Sequence, residues 1–173
     1  ADQFESLTFA AIITEDEIII PSGSTKIPLG SRLVVIGTPK SVQDFSSTIE
    51  PTITDIKSTV ILGGSPISAE IASIFTTRGM SSTLMTSEKE LSLKLAEKLP
   101  DTIVMCHDVT DIDFLESENV TQSNLVVVHL GSDEETLLVS LLVKQLGAPR
   151  IAAVVNSGNY ISLFKNVGID VAV

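Results

Sequence analysis

The chain has 173 residues, enough for one ordinary domain or two small ones, and 43% of them are apolar, so it can bury a core. Its 22 acidic and 11 basic residues leave a net charge of −11, which disfavours nucleic acid and anionic membrane surfaces as partners. No apolar run approaches the roughly 18 residues of a membrane helix, so no direct membrane insertion is expected. Aromatic residues make up 4% and Trp is absent. The core is therefore aliphatic, as suits a parallel sheet covered on both faces. The chain opens on Ala1 and reads as an excised or processed piece of something larger.

Residues 1–50 read mostly as strands. The apolar run Leu7 to Ile13 is followed by a charged turn, Glu15-Asp16-Glu17, and by Ile18-Ile19-Ile20, which Pro21-Ser22-Gly23 stops. Pro28-Leu29-Gly30-Ser31 is a second turn, Arg32 to Ile36 a third strand closed by Gly37, and Pro39 opens a short helix to about Ile49. A meander of this size is not independently robust and reads as part of a small domain, open to pairing with another chain by swapping or edge addition. Glu50-Pro51-Thr52 breaks the helix, because Pro51 disfavours helical geometry at Glu50. Residues 51–57 read as a linker.

From Ser58 onward, strands and helices alternate. Strand 58–62 leads to a helix at about 66–78 with Ile67, Ile71, Ile74 and Phe75 on one apolar face, stopped by Gly79. Strand 82–86 precedes a helix at about 88–98 that aligns Leu91, Leu95 and Leu99. Strand 102–106, a short helix near 111–117, strand 124–130 and helix 134–146 follow; Gly147 and Pro149 end that helix. Strand 151–155, a helix near 157–166 and a strand at 169–173 complete the set. Six strands alternating with helices specify an α/β fold, a doubly wound, Rossmann-like parallel sheet with right-handed crossovers, preceded by a small partial α+β domain. Cys106, inside Thr102-Ile103-Val104-Met105-Cys106, allows no internal disulfide and reads as a buried strand residue in a reducing compartment.

The candidate site is the turn after the first strand of this alternation. Thr59-Val60-Ile61-Leu62-Gly63-Gly64-Ser65-Pro66-Ile67-Ser68 lies where a dinucleotide-binding fold carries G-x-G-x-x-G. Only the first glycine stands, as Gly63; the second position falls on Ser65 and the third on Ser68. Ser65 is a good N-cap, able to accept the N2 or N3 amide, and Pro66 at N1 offers no N–H. Ser68 is small enough for close helix–strand packing. Two readings stay open, a stabilised turn that needs no ligand and a modified phosphate site. Thr86 stands about 20 residues on, where an acid usually holds the ribose hydroxyls, with Glu88 two residues later. His107 reads as a loop histidine with neither nucleophile nor metal-ligand spacing beside it. His129 reads as a hydrogen-bonded histidine at a strand end, near the sheet edge where such folds bind ligands. Asp133-Glu134-Glu135 reads as a charged helix start that suits the dipole.

Several stretches carry a resemblance. His107-Asp108-Val109-Thr110-Asp111 looks like G-D-A-T-D, Asp133-Glu134-Glu135-Thr136-Leu137-Leu138 like D-D-E-x-N-L-L, and Lys144-Gln145-Leu146-Gly147-Ala148-Pro149-Arg150-Ile151 like K-x-L-G-V-P-R-V. Asn156, Tyr160 and Leu163-Phe164-Lys165-Asn166-Val167-Gly168-Ile169-Asp170 look like N-x-x-x-Y…L-F-x-x-x-G-I-D. In this order and spacing they resemble the RCK family, also called KTN or TrkA-type, the cytoplasmic regulators of potassium channels and transporters. Ala11 to Pro21 and Pro28 to Gly37 resemble the end of that family's companion C-type domain.

The resemblance implies a non-catalytic gating subunit in the cytoplasm, peripheral to the cell membrane through a membrane potassium transporter subunit, and self-associating as a dimer or higher oligomer. It implies residues 1–50 as a partial C-type domain and 58–173 as the N-type domain of a following repeat. It places Gly63, Gly64, Ser65, Ser68, Thr86, Asp108 and Val109 around a bound NAD(H) or adenine nucleotide, with binding weak or absent in this repeat. Asp108 is then either an adenosine neighbour or a turn residue holding backbone amides. In the family's strand-five Arg position stands Val154, and Thr136 replaces the Asn of D-D-E-x-N-L-L. The competing readings are a sensor module for AMP, ADP, ATP or NAD(H), and a small NAD-dependent oxidoreductase, which lacks a substrate domain, a proton donor and the glycine fingerprint.

Overall fold

The computed structural model describes residues 6–14, 17–49 and 56–173, which fall in two units, Ala1–Thr54 and Asp55–Val173. In the first, β1 (Leu7–Ile13) is the centre of a three-stranded antiparallel sheet, with β2 (Ile18–Ile19) on one side and β3 (Arg32–Gly37) on the other. The β1–β3 ladder runs from Leu7 opposite Gly37 to Ile13 opposite Arg32, with a bulge between Phe9 and Ala11. Helix α1 (Pro39–Ile49) carries Phe45, whose ring meets Phe9 edge-on at 5.2 Å. Among the described residues of this unit only Ile12 is fully buried, whereas Ile18, Ile20, Leu29 and Ile36 are exposed. Two expected features, the turn at Glu15-Asp16 and the break at Glu50-Pro51-Thr52, lie outside the described residues.

The second unit is the expected α/β fold. Its strands are β4 (Ser58–Leu62), β5 (Ser81–Thr86), β6 (Ile103–Cys106), β7 (Leu125–Val128), β8 (Ile151–Ala153) and β9 (Val171–Ala172). Between them run α2 (Pro66–Thr77), α3 (Lys89–Lys98), α4 (Ile112–Ser117), α5 (Asp133–Gln145) and α6 (Ile161–Asn166). All six strands are parallel, in the order β6-β5-β4-β7-β8-β9. Val60, Ile61 and Leu62, and Leu125 to Val128, are buried at successive positions because helices cover both faces. On one face Val60, Leu62, Met85, Val126 and Val128 pack with Leu115, Val139, Val143 and Phe164. On the other, Ile61, Leu84, Leu125 and Val127 pack with Ala69 and Ala72 of α2 and Leu95 of α3. The chain adds strands outward from β4 in one direction and then from β7 in the other, so the crevice beyond their C-terminal ends is the topological switch point where ligands bind in such sheets.

Several details differ from the sequence reading. The strands at 124–130, 151–155 and 169–173 are shorter than the apolar runs. Side chains take over at their ends: Asn124 Oδ1 accepts the Lys57 and Ser58 amides at 2.9 and 3.1 Å, and Asp170 Oδ2 accepts the Ile151 amide at 2.8 Å. The segment 157–166 is a 3₁₀ turn, Gly158–Tyr160, running into α6, and a further 3₁₀ turn spans Val120–Gln122. In α2 the buried residues are Ser68, Ala69 and Ala72, while Ile67 and Ile74 are about half exposed. The helix lies close against the sheet, so small side chains occupy the contact and the larger ones flank it. Cys106 is exposed, not buried: β6 is the edge strand, and its last residue has left the covered part of the sheet. Among the described residues no helix is long and apolar enough to cross a membrane.

Candidate functional site: an acidic cleft at the switch point

A cleft of about 550 Å³ opens at the C-terminal ends of β4, β5 and β7, within the size range of small-molecule sites. It is lined by Gly63, Gly64, Ser65, Pro66, Thr86, Ser87, Glu88, Leu91, Asp108, Val109, Thr110, His129, Leu130, Gly131, Glu135, Leu138 and Val139. Six of the seven expected site residues are therefore brought together. The seventh, Ser68, is fully buried under α2 and does not reach the cleft.

The loop has kept the glycines its backbone geometry demands. Gly63 has φ +127°, and a Cβ there would stand 1.9 Å from the His129 carbonyl oxygen. A Cβ on Gly64 would meet Leu91 Cδ2 at 2.6 Å and Thr86 Oγ1 at 2.8 Å. The Gly63 amide donates to Met85 O at 2.8 Å, and so is occupied by the protein. Ser65 is the N-cap of α2, and its Oγ accepts the N3 amide of Ser68 at 3.0 Å. Pro66 supplies no N–H at N1. A helix start that serves phosphates through its amides has here lost one to proline and committed another to a serine.

Asp108 Oδ1 accepts both the Thr110 amide, at 2.9 Å, and the Thr110 hydroxyl, at 2.8 Å. These bonds, the backbone one first, hold its carboxyl below the usual carboxylate range. Asp108 thus holds a turn and also faces the cleft. His107 stacks on Phe114 with ring centroids 3.8 Å apart and lies 3.9 Å from Asp111 Oδ2, outside the cleft. Thr86 is buried at the cleft wall, with Glu88 exposed beside it.

His129 is 4% exposed, and its Nδ1 lies 2.9 Å from Val154 O. A carbonyl only accepts, so Nδ1 carries the hydrogen and Nε2 is the ring nitrogen left as an acceptor. The acidic helix start divides its work. Asp133, buried, accepts the Asn156 amide at 2.6 Å, the Asn156 side chain at 3.2 Å and the Ser157 amide at 3.0 Å, tying the loop after β8 to α5. Glu134 accepts the Tyr160 hydroxyl at 2.9 Å, and that bond, with the nearby charge, raises the Tyr160 pKa above its ordinary value. Glu135 alone of the three lines the cleft, its Oε2 3.4 Å from where a Gly131 Cβ would stand. The sequence reading did not single out Glu135 as a lining residue. Its signal was Ser132-Asp133-Glu134-Glu135, a capping box at the C-terminal end of a strand: Ser132 Oγ accepts the Glu135 amide at 3.2 Å. Three carboxylates, Glu88, Asp108 and Glu135, line the cleft, and among the described residues no Lys or Arg does.

The family model for the TrkA-N domain matches residues 59–173, and the chain belongs to that family. The chain is 33% identical over 165 residues to Trk system potassium uptake protein trkA homolog 1 of Methanosarcina mazei, covering 95% of this chain and 41% of that protein. It is 34% identical over 169 residues to the TrkA homolog of Archaeoglobus fulgidus, covering 97% and 38%. It thus spans about two fifths of the length of these relatives. Among solved structures the GsuK RCK domain superposes with a TM-score of 0.63 at 18% identity, over 96% of this chain and 35% of that one. The GsuK channel bound to NAD gives 0.60 at 20% identity, over 78% and 27%. These superpositions bear out the fold, and the family match bears out the resemblance read from the ordered motifs.

Proposed function

We propose that this chain is a segment of a regulatory, non-catalytic subunit of a Trk-type potassium uptake system. In this reading residues 1–50 close a C-type domain, residues 58–173 form the N-type domain of the next repeat, and the subunit is cytoplasmic, oligomeric and docked on a membrane potassium transporter. A module of this kind acts by binding its ligand with different affinity in two assembly states. The repeat described here has a degenerate nucleotide loop and serves mainly as scaffold. The bond between Ser65 and Ser68, the two residues at the second and third motif positions, carries this reading: the helix start satisfies itself. An oxidoreductase is disfavoured because the helix start that would hold its dinucleotide cofactor has Pro66 at N1 and the Ser68 amide bonded to Ser65.

Two measurements test the proposal. Calorimetric titration of the chain with NADH is expected to give no binding; a dissociation constant of about 10 μM or tighter, roughly 7 kcal/mol, overturns the degenerate-loop reading. Potassium uptake by cells carrying the parent protein with Gly63→Ala, which cannot keep this loop, is expected to fall. Unchanged uptake rejects the role in transport.

A further inference from the structure

A cleft of about 550 Å³ remains at the switch point, and its chemistry points away from phosphates. We propose that it binds an unphosphorylated nucleoside: a neutral or cationic ligand with a ring and hydroxyl donors, in place of a nucleotide. This rests on the reading above that the loop no longer grips pyrophosphate. Three facts carry it.

Charge comes first. Glu88 before α3, Asp108 after β6 and Glu135 in the first turn of α5 approach the cleft from three different segments, and among the described residues no cationic side chain lines it, so a phosphate there meets like charge from several directions. Phosphate sites are built from Arg, Lys and free amides, whereas here Pro66 has no amide hydrogen and the Ser68 amide is bonded to Ser65.

Acceptors come second. The three carboxylates accept and cannot donate, and His129, a lining residue itself almost wholly buried, keeps Nε2 as its remaining acceptor because Nδ1 is committed to Val154 O. Sugar hydroxyls and exocyclic amino groups are the donors such a set recognises.

Shape is the third. Leu91, Leu130, Leu138 and Val139 give the cleft apolar wall beside its carboxylates. A heterocycle suits that wall, and the volume of about 550 Å³ has room for a nucleoside.

The test is calorimetry on the full chain with adenosine, guanosine, cytidine and uridine, and then with the mono- and diphosphate of whichever binds, NADH run alongside. At least one nucleoside is expected to bind, with each added phosphate weakening it roughly fivefold, the size of one close charge repulsion in water. The double variant Glu88→Gln, Glu135→Gln replaces two exposed side chains and keeps a residue suited to the capping box at 135. It is expected to narrow the gap between nucleoside and monophosphate. Failure of all four nucleosides to bind a sample with a cooperative melt overturns this inference and leaves the degenerate-loop reading standing. Affinity that rises with phosphate number overturns both.

Discussion

Ser65 Oγ accepts the Ser68 amide at 3.0 Å and stands 3.1 Å from Ser68 Oγ, so the residues at two motif glycine positions are bonded to each other. In a dinucleotide loop the second glycine keeps the backbone bare for a pyrophosphate and the third lets the helix pack closely on the strand. Here the second position bears a side chain that caps the helix, and the third is filled by a buried hydroxyl paired with that cap. The helix start is stable without a ligand.

Replacing Ser65 separates capping from binding. Ser65→Ala is expected to cost about 1 kcal/mol in urea unfolding, and Ser65→Gly only a few tenths. The double variant Ser65→Gly, Ser68→Gly restores the glycine pattern but leaves Pro66 and the three carboxylates in place. It is expected not to bind NADH, as read by nicotinamide fluorescence. Recovery of binding would show that the two serines alone had closed the site.

Asp133 holds the far side of the cleft's framework through three hydrogen bonds to Asn156 and Ser157. Bonds to a buried carboxylate are worth more than neutral ones, and their loss leaves two amides unpaired. Asp133→Ala is expected to cost about 3 kcal/mol or more in chemical denaturation, with the amides of Asn156 and Ser157 losing protection from hydrogen exchange. Asp133→Asn, which keeps one acceptor, is expected to fall between. Equal stability of all three proteins would remove the carboxylate from the account of how this loop is held.

Much of the fold was legible because both periods are strong in this chain. Continuous aliphatic runs at Val60–Leu62 and Leu125–Val128 announce central parallel strands, and the ordered G-x-x, D-x-T-D and L-G-x-P-R segments placed the turns between them. The errors share a cause. Periodicity reports which residues are apolar, not how near two elements come. In α2 the close approach at the glycine loop favours Ser68, Ala69 and Ala72 at the contact, so the isoleucine face read from spacing is only partly covered. Cys106 was assigned by its apolar neighbours, yet strand order, which a single sequence does not display, puts β6 at the edge. The site followed the same pattern. Loop residues tied to a motif meet in the cleft, while Glu135 is obscured in the sequence by two adjacent acids with other partners.

Tyr160 is the only tyrosine and Trp is absent, so its ionisation can be read directly from tyrosinate absorbance. Its hydroxyl donates to Glu134, which raises its pKa. The native protein is expected to titrate above the ordinary value of about 10, and Glu134→Gln to bring the titration down toward it. A raised folded-state pKa means that this contribution to stability is complete below about pH 10 and is lost as pH rises through the folded value. Asp108 is the opposite case. Its lowered pKa gives a contribution present above the ordinary carboxylate range and lost as pH falls through the folded value. An unshifted tyrosine in the native protein would mean that the Tyr160–Glu134 bond is not kept in solution.

Thr59 and Ser82 lie directly opposite each other on β4 and β5, and the pairing of Thr83 with Ile103 brings Thr102 alongside Ser82. All three side chains are buried, on the face covered by α2 and α3, and none of their hydroxyls has a protein partner among the described residues. A buried hydroxyl without a partner costs about 1–3 kcal/mol, and an apolar group of the same shape removes that cost. Thr59→Val keeps the branched shape suited to a central strand and is expected to stabilise the protein by about 1 kcal/mol. The urea midpoint should rise with the slope unchanged. Combined with Thr102→Val the gain is expected to exceed either alone, though not additively, because each hydroxyl neighbours Ser82. A lower midpoint for Thr59→Val would show instead that the three hydroxyls bond one another in solution, and that the row across the three strands helps to hold the sheet.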